Sequence, residues 1–297
     1  MADLDPARLA QAYVDEVRAE VASLGAPIKV VGLISQNDGP SMAYARATRS
    51  KFDAVGIEYE LRPVARLDLE DAIERANSDP GVHGIFIYFP IFHNEQDVYL
   101  RNLVDYRKDI EAGTHYWTRK LYANDRLAID GDPRFKAVIP CTPLAVIKML
   151  TGAGVYPAEQ PEPIAGKQVT IFNRSEVNGR PLAVMMSNDG ARVYSFDING
   201  PLLFEHARPS EIEIDRAEAL RHSDIVITGV PSASFPRIRA DEIKPDAVCV
   251  NFSSYPNFAD DIESQASIFI PRVGPMTVAM VMRNTLRLFR TFHHKPA

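Results

Sequence analysis

The segment from Gln168 to Met186 carries the clearest chemical logic in this chain. Gln168-Val-Thr-Ile-Phe172 is an apolar run of β-formers, Asn173-Arg-Ser-Glu-Val-Asn-Gly-Arg-Pro181 is rich in turn formers, and Leu182 to Met186 is an apolar helix. Strand, tight loop and helix in that order aim backbone N–H groups and the positive end of a helix at one point, an arrangement suited to a dinucleotide pyrophosphate. Gly179 permits close approach, but the GxGxxG spacing is absent, so an ordinary βα turn is the competing reading. The next strand ends in Asp197, which follows Gly179 at close to the ~20-residue interval of an acidic ribose ligand. A carboxylate there accepts hydrogen bonds from the ribose and repels a 2′-phosphate, which favours NAD over NADP. Against this, Asp197 also suits a turn before Asn199-Gly200, and Arg174 offers a guanidinium that a phosphate would bind. The cofactor-binding candidates are therefore Asn173, Arg174, Ser175, Gly179 and Asp197, together with Val230 and Pro231 beyond a later strand.

Other chemistry is thinly represented. The histidines His83, His93, His115, His206, His222, His293 and His294 have no HExxH or comparable ligand spacing, so no catalytic metal is expected. His293-His294 reads as a solvated tail. Neither a Gly-x-Ser-x-Gly elbow nor a P-loop is present, which removes the sequence support for hydrolase or kinase chemistry. Cys141 and Cys249 are the only cysteines and lie far apart, suggesting neither a disulfide framework nor a zinc site and fitting a reducing, cytoplasmic compartment. With 297 residues and a net charge of -6, the chain has no overall attraction for nucleic acid or anionic membranes. Asp3, Asp5, Glu16 and Glu20 make the N-terminus unlike a secretory signal, and no apolar run approaches membrane-spanning length.

The elements that must position these residues alternate. Asp5 to Leu24 reads as an amphipathic helix, Ile28 to Ile34 as a buried strand, and Asn37-Asp38-Gly39-Pro40 as a breaker before a helix from Ser41 to Val55. A strand over Gly56 to Val64, a helix near Leu67 to Ala76 and a strand over Gly84 to Tyr88 follow. Pro140 and Pro143 suit the start of a helix ending near Leu150. The stretch 151–166 holds three prolines and three glycines and marks an interdomain connection. Beyond it come strands at Gln168–Phe172, Arg192–Phe196, Asp224–Thr228, Ala247–Phe252 and Ser267–Ile270, and a last helix from Met276 to Phe292. The alternation predicts an α/β fold in two domains.

Four ordered blocks carry a resemblance that spacing alone does not supply: Ser41-x-x-Tyr44, Pro140-Cys-Thr-Pro143, Arg174-Ser175 through Gly179-x-Pro181, and Val273-Gly-Pro-Met-Thr277. With them the chain resembles the methylenetetrahydrofolate dehydrogenase/cyclohydrolase family over nearly its whole length. The resemblance implies a three-layer α/β folate-binding domain (1–150 and 275–297), a Rossmann-type NAD-binding domain (151–274), a C-terminal helix returning to the first domain, and a homodimer. It implies that Tyr44 stacks on the folate, that Pro143, Gly274, Pro275 and Thr277 line the substrate cleft with Ser41, and that Glu111 of Lys108-Asp-Ile-Glu111 takes the pterin-binding carboxylate role. Each block has a plainer reading as well. Tyr44 suits a core aromatic, and Gly274-Pro275 suits a turn before the last helix.

The departures bear on mechanism. The family helix motif Ser-x-x-Tyr-x-x-x-Lys has Thr48 at its lysine, and the glutamine that works with that lysine is Tyr88. Lys51 is turned about 60° around the helix from Thr48 and reads as solvated. Ala112 and Asn173 each stand where the family has glycine, and Pro271-Arg272 replaces a Gly-Gly pair. Hydride release from a methylene flanked by two nitrogens needs positioning rather than a protein base. Hydrolysis of the methenyl product needs a placed acid/base group, which Thr48 cannot supply. The expectation is a dehydrogenase with Tyr44, Thr48 and Tyr88 at its reaction centre and no cyclohydrolase activity, as in the family's monofunctional NAD-dependent branch. A bifunctional NADP enzyme and a catalytically silent folate binder are the alternatives.

Overall fold

The structure is a computed structural model that describes residues 6–36, 38–157 and 159–294. The expected helix start at Asp5 and the breaker residue Asn37 lie outside the described residues. The chain groups into two compact units, one made of Gln11–Lys120, Asp125–Cys141 and the residues from Val278 on, the other of Thr142–Thr277 with Leu121–Asn124 and the first turn of the N-terminal helix.

In the first unit, strands β1 (Ile28–Ile34), β2 (Ile57–Pro63) and β3 (Gly84–Ile87) form a parallel sheet in the order β2-β1-β3. Val31 pairs with Glu60 on one side and with Ile85 on the other. β1 is buried along nearly its whole length, as a central parallel strand must be. Helices α1 (Pro6–Leu24), α2 (Gly39–Ala54), α3 (Leu69–Ser78), α4 (Glu95–Leu103) and α5 (His115–Tyr122) surround it, with a small hairpin of β4 (Leu127–Ile129) and β5 (Asp132–Lys136). Val31 and Leu33 pack with Leu69, Ala72, Ile73 and Ala76 of α3 and Leu100 of α4 in one continuous core.

The second unit begins at α6 (Cys141–Gly152), whose first residue belongs to the first unit. Its sheet has the order β12-β11-β10-β6-β7-β8-β9, formed by β6 (Gln168–Phe172), β7 (Arg192–Asp197), β8 (Gly200–Glu205), β9 (Arg208–Glu211), β10 (Ile225–Thr228), β11 (Val248–Asn251) and β12 (Ile268–Ile270). The five strands from β12 to β7 are parallel, and β8 and β9 fold back antiparallel. α7 (Gly179–Asn188) joins β6 to β7, and its apolar residues are buried all round. α8 (Arg216–His222) leads into β10. Strand order reverses at β6, since β7 lies to one side and β10 to the other. In an open α/β sheet, the crevice beyond the carboxyl ends at such a point is where ligands bind.

The last helix, α9 (Gly274–Leu288), continues as a π-helical turn over Phe289–His293. From Val278 on it belongs to the first unit, as the resemblance implies. The Asn284 side-chain amide donates to the carbonyls of Ile110 and Ile139 at 3.0 Å. The solvated reading of His293 is corrected. Its ring lies 5.3 Å from that of His83 and its Nε2 is 3.0 Å from the Arg107 carbonyl oxygen, because the helical turn carries it back onto the sheet's edge.

Candidate active site

α2 is started by Asp38, whose carboxylate accepts from the Ser41 N–H at 2.8 Å. That cap sets the helix so that Ser41, Tyr44 and Thr48 succeed one another at the three- and four-residue intervals that share a helix face. Tyr44 is 52% exposed despite its size, which excludes the core reading, whereas Thr48 is 3% exposed. The Thr48 hydroxyl donates to the Tyr44 carbonyl at 3.0 Å, so its proton is already engaged with the helix backbone. Lys51 is exposed.

Tyr88 follows β3 and is buried. Its ring meets that of Tyr44 edge-on at 6.0 Å and that of Phe86 at 4.9 Å, and its hydroxyl lies 2.7 Å from the Tyr59 hydroxyl. The backbone beyond Tyr88 is clamped from two sides. Gln36 donates to the carbonyls of Tyr88 and Pro90, and the Asp97 carboxylate accepts the N–H groups of Ile91, Phe92 and His93. Burial pushes the Tyr88 phenol up to about 12, against the lowering effect of the Tyr59 and Thr48 hydroxyls. Tyr44 is also raised, first by desolvation of its phenol among the neighbouring rings and then by the negative charge of Glu111.

Glu111 lies just after the bridge that joins Asp109 to Ile85 of β3. Burial first, and the Asp109 carboxylate second, push its carboxyl up to about 8, with Arg101 opposing. Ala112, where the family resemblance places glycine, adopts φ 56°, the left-handed conformation that glycine takes without strain. The structure thus brings Tyr44, Thr48, Tyr88 and Glu111 into one neighbourhood. The phenols stay protonated through the neutral range, and the groups gathered there are hydroxyls and carboxylates.

In the second unit, the loop after β6 runs along the carboxyl edge of the sheet. Asn173 has φ 145°, a conformation that favours glycine, and its side chain holds it there: Nδ2 donates to the Gly229 carbonyl at 2.8 Å and Oδ1 accepts from the Ser175 N–H at 2.8 Å. This single side chain ties the loop after β6 to the loop after β10. A Cβ on Gly179 would lie 1.8 Å from the Asn173 carbonyl oxygen, so only glycine allows this turn to close. Asn178, at the cap position of α7, makes no side-chain capping bond. The Ser175 hydroxyl is buried with no hydrogen-bond partner among the described residues. An uncapped helix start beside an orphaned hydroxyl fits a phosphate-bearing ligand.

Arg174 donates to the carbonyls of Ser195 and Gly200 at 2.8 and 3.0 Å and lies 4.0 Å from the Asp197 carboxylate. Its guanidinium is therefore engaged with the end of β7 and offset by Asp197, rather than free for an added phosphate. The Val230 N–H donates to Asn257 Oδ1 at 2.9 Å, and Pro231 is exposed. Pro143 is buried in the first turn of α6; Gly274, Pro275 and Thr277 occupy the first turn of α9, where Thr277 Oγ1 donates to the Val273 carbonyl at 3.3 Å. Sequence reasoning missed Tyr59, Gln36 and Asn257. Each acts through a neighbour tens of residues away, and none carries a local motif.

Comparison with known proteins gives a coherent result. The profile of "Tetrahydrofolate dehydrogenase/cyclohydrolase, catalytic domain" matches residues 4–111, and that of "Tetrahydrofolate dehydrogenase/cyclohydrolase, NAD(P)-binding domain" matches residues 140–293. The chain is 40% identical over 276 residues to "Methylenetetrahydrofolate dehydrogenase [NAD(+)]" of Saccharomyces cerevisiae, covering 88% of this chain and 86% of that protein. It is 38% identical over 300 residues to the protein of the same name from Schizosaccharomyces pombe, covering 97% and 93%. The solved structure of the NAD-dependent 5,10-methylenetetrahydrofolate dehydrogenase from Saccharomyces cerevisiae superimposes with a TM-score of 0.86 at 36% identity, covering 96% of each chain.

Proposed function

Because the chain belongs to the tetrahydrofolate dehydrogenase/cyclohydrolase family, we propose that it oxidises 5,10-methylenetetrahydrofolate to 5,10-methenyltetrahydrofolate with NAD by direct hydride transfer, without cyclohydrolase activity. The observation that carries the second half is the setting of Thr48. It is a buried hydroxyl bonded to its own helix and enclosed by phenols that stay protonated. None of these hydroxyls takes a proton from water at neutral pH, whereas the dehydrogenase step asks only that the reacting carbon be held and water excluded.

NAD supplies the hydride acceptor when bound. Gly179 and the uncapped start of α7 would receive its pyrophosphate, with Ser175 offering its unpartnered hydroxyl, and Asp197 would accept from the ribose. Asn173, Val230 and Pro231 line the same edge of the sheet. The Arg174 to Asp197 pairing favours NAD over NADP, since a 2′-phosphate would meet the carboxylate while the guanidinium is already engaged. On the folate side, Tyr44 offers its exposed ring for stacking and Ser41 and Glu111 offer polar contacts to the pterin, while Pro143, Gly274, Pro275 and Thr277 are the further folate-binding candidates that the family resemblance supplies. Residues 1–150 and 275–297 then form the folate domain and 151–274 the NAD domain. We assign the protein to the cytoplasm as a homodimer. Both cysteines are free and buried, which suits a reducing compartment, and no described helix is long and apolar enough to cross a membrane.

One assay tests the reading. With tetrahydrofolate, formaldehyde and NAD⁺, NADH should form and methenyltetrahydrofolate should accumulate, decaying at the enzyme-free buffer rate. Faster consumption of the methenyl compound refutes the loss of hydrolysis. No NADH with NAD⁺ but NADPH with NADP⁺ refutes the cofactor assignment.

A further inference from the structure

Tyr59 is the third residue of β2 and belongs to none of the blocks that mark the site. It is held on several sides. The Phe52 ring of α2 packs on it at 5.0 Å between centroids, and the Asp53 carboxylate accepts its N–H at 3.2 Å. Gly32 of the neighbouring strand makes room for its head, since a Cβ at position 32 would lie 2.3 Å from the phenolic oxygen. The Tyr59 hydroxyl is thereby fixed, and the partner it meets, at 2.7 Å, is the Tyr88 hydroxyl. Tyr88 in turn presents its ring edge-on to Tyr44, whose exposed face is the stacking surface assigned to folate.

We propose that Tyr59 is a positioning residue for the folate surface: through its hydroxyl it pins Tyr88, and through Tyr88 it sets the Tyr44 ring. This rests on the folate-dehydrogenase reading above. Two aromatic rings in edge contact leave each other free to slide unless something fixes one of them, and the hydroxyl bond supplies that restraint at the end of Tyr88 remote from its backbone. The bond is buried, so no water replaces it when it is removed. Tyr88 also lies beside the Thr48 hydroxyl, so a lysine set there alone would meet a phenol.

The test is a double-mutant cycle with Tyr59→Phe and Tyr88→Phe, each removing one oxygen and leaving the ring. Tyr59→Phe should raise the KM for 5,10-methylenetetrahydrofolate about fivefold, a typical cost of a lost buried hydrogen bond, while the KM for NAD stays unchanged. Tyr88→Phe should give a similar rise, and the double variant no more than either alone. Calorimetric titration of the same four proteins with tetrahydrofolate should reproduce the pattern in Kd, so the inference is read even if turnover is slow. An unchanged folate KM in Tyr59→Phe, effects that add in full, or an equal change in the KM for NAD would overturn it. The wild-type protein decides the underlying function separately: if it neither makes NADH nor binds tetrahydrofolate, the folate assignment fails before the variants are compared.

Discussion

Glu111 changes its charge state near neutral pH in the fold, and its stability consequence follows from that. In the unfolded chain a glutamate titrates near about 4.3, whereas burial and the Asp109 charge push Glu111 up to about 8 in the fold. Between those values the folded protein holds a proton that the unfolded chain has released, so stability falls as pH rises through that window. Below it the penalty is absent, and above about 8 it is complete. Glu111→Gln cannot ionise and should therefore lose less melting temperature between pH 6 and pH 9 than the wild-type protein. Thermal melts followed by circular dichroism at four pH values measure this, and parallel curves would show that Glu111 is already ionised in the fold. The sequence made Glu111, Thr48 and Tyr88 visible because they fall at fixed places in family motifs. Tyr59 stayed hidden, since a tyrosine at an inward position of a strand looks like any core aromatic, and what distinguishes it is a contact with a residue 29 positions away.

The β6–α7 turn shows how an element tolerates the loss of an expected glycine. Asn173 stands where glycine is usual, and its positive φ costs backbone energy that two side-chain hydrogen bonds offset. Gly179 has no such freedom, because the atoms a Cβ would strike are the Asn173 carbonyl oxygen and carbon, at 1.8 and 2.5 Å. Gly179→Ala must open the turn. We expect a loss of about 1–3 kcal/mol of stability, the usual cost of forced overpacking, and at least a tenfold weaker NAD affinity with folate affinity retained. Titration with each ligand separates the two effects, and an equal loss of both would mean that the damage is global. Elements with continuous apolar runs were legible to the residue: β1 and β6 begin and end where their sequences predict. The antiparallel pair β8 and β9 was not. β9 is exposed along its length and contains Pro209, so neither hydrophobic alternation nor propensity marks it. Its pairing is imposed by the β7–β8 fold-back and by the edge it covers.

At the scale of the whole molecule, the sequence pointed to two domains, with the chain expected to cross between them near 150 and 275. The compact units divide within α1 after Ala10, within α5 after Lys120, within α6 after Cys141 and within α9 after Thr277. No composition signal marks such places, because a helix must keep good helix formers through the crossing. The same fact has a thermodynamic consequence. Melting one unit alone would leave α1, α5 and α9 cut within their length, each losing the hydrogen bonds that span the cut and exposing new ends. The molecule should therefore unfold in one cooperative step. Trp117, the single tryptophan, reports on the first unit, where its indole N–H donates to the Tyr106 carbonyl at 2.8 Å. NAD is assigned to the second. At a concentration of 100 times its Kd, NAD should add about 2.7 kcal/mol to the folded state by mass action, and the Trp117 fluorescence melt should move upward together with the far-ultraviolet circular dichroism melt. If the dichroism curve splits and Trp117 keeps its midpoint, the units unfold independently and the helical crossings do not couple them.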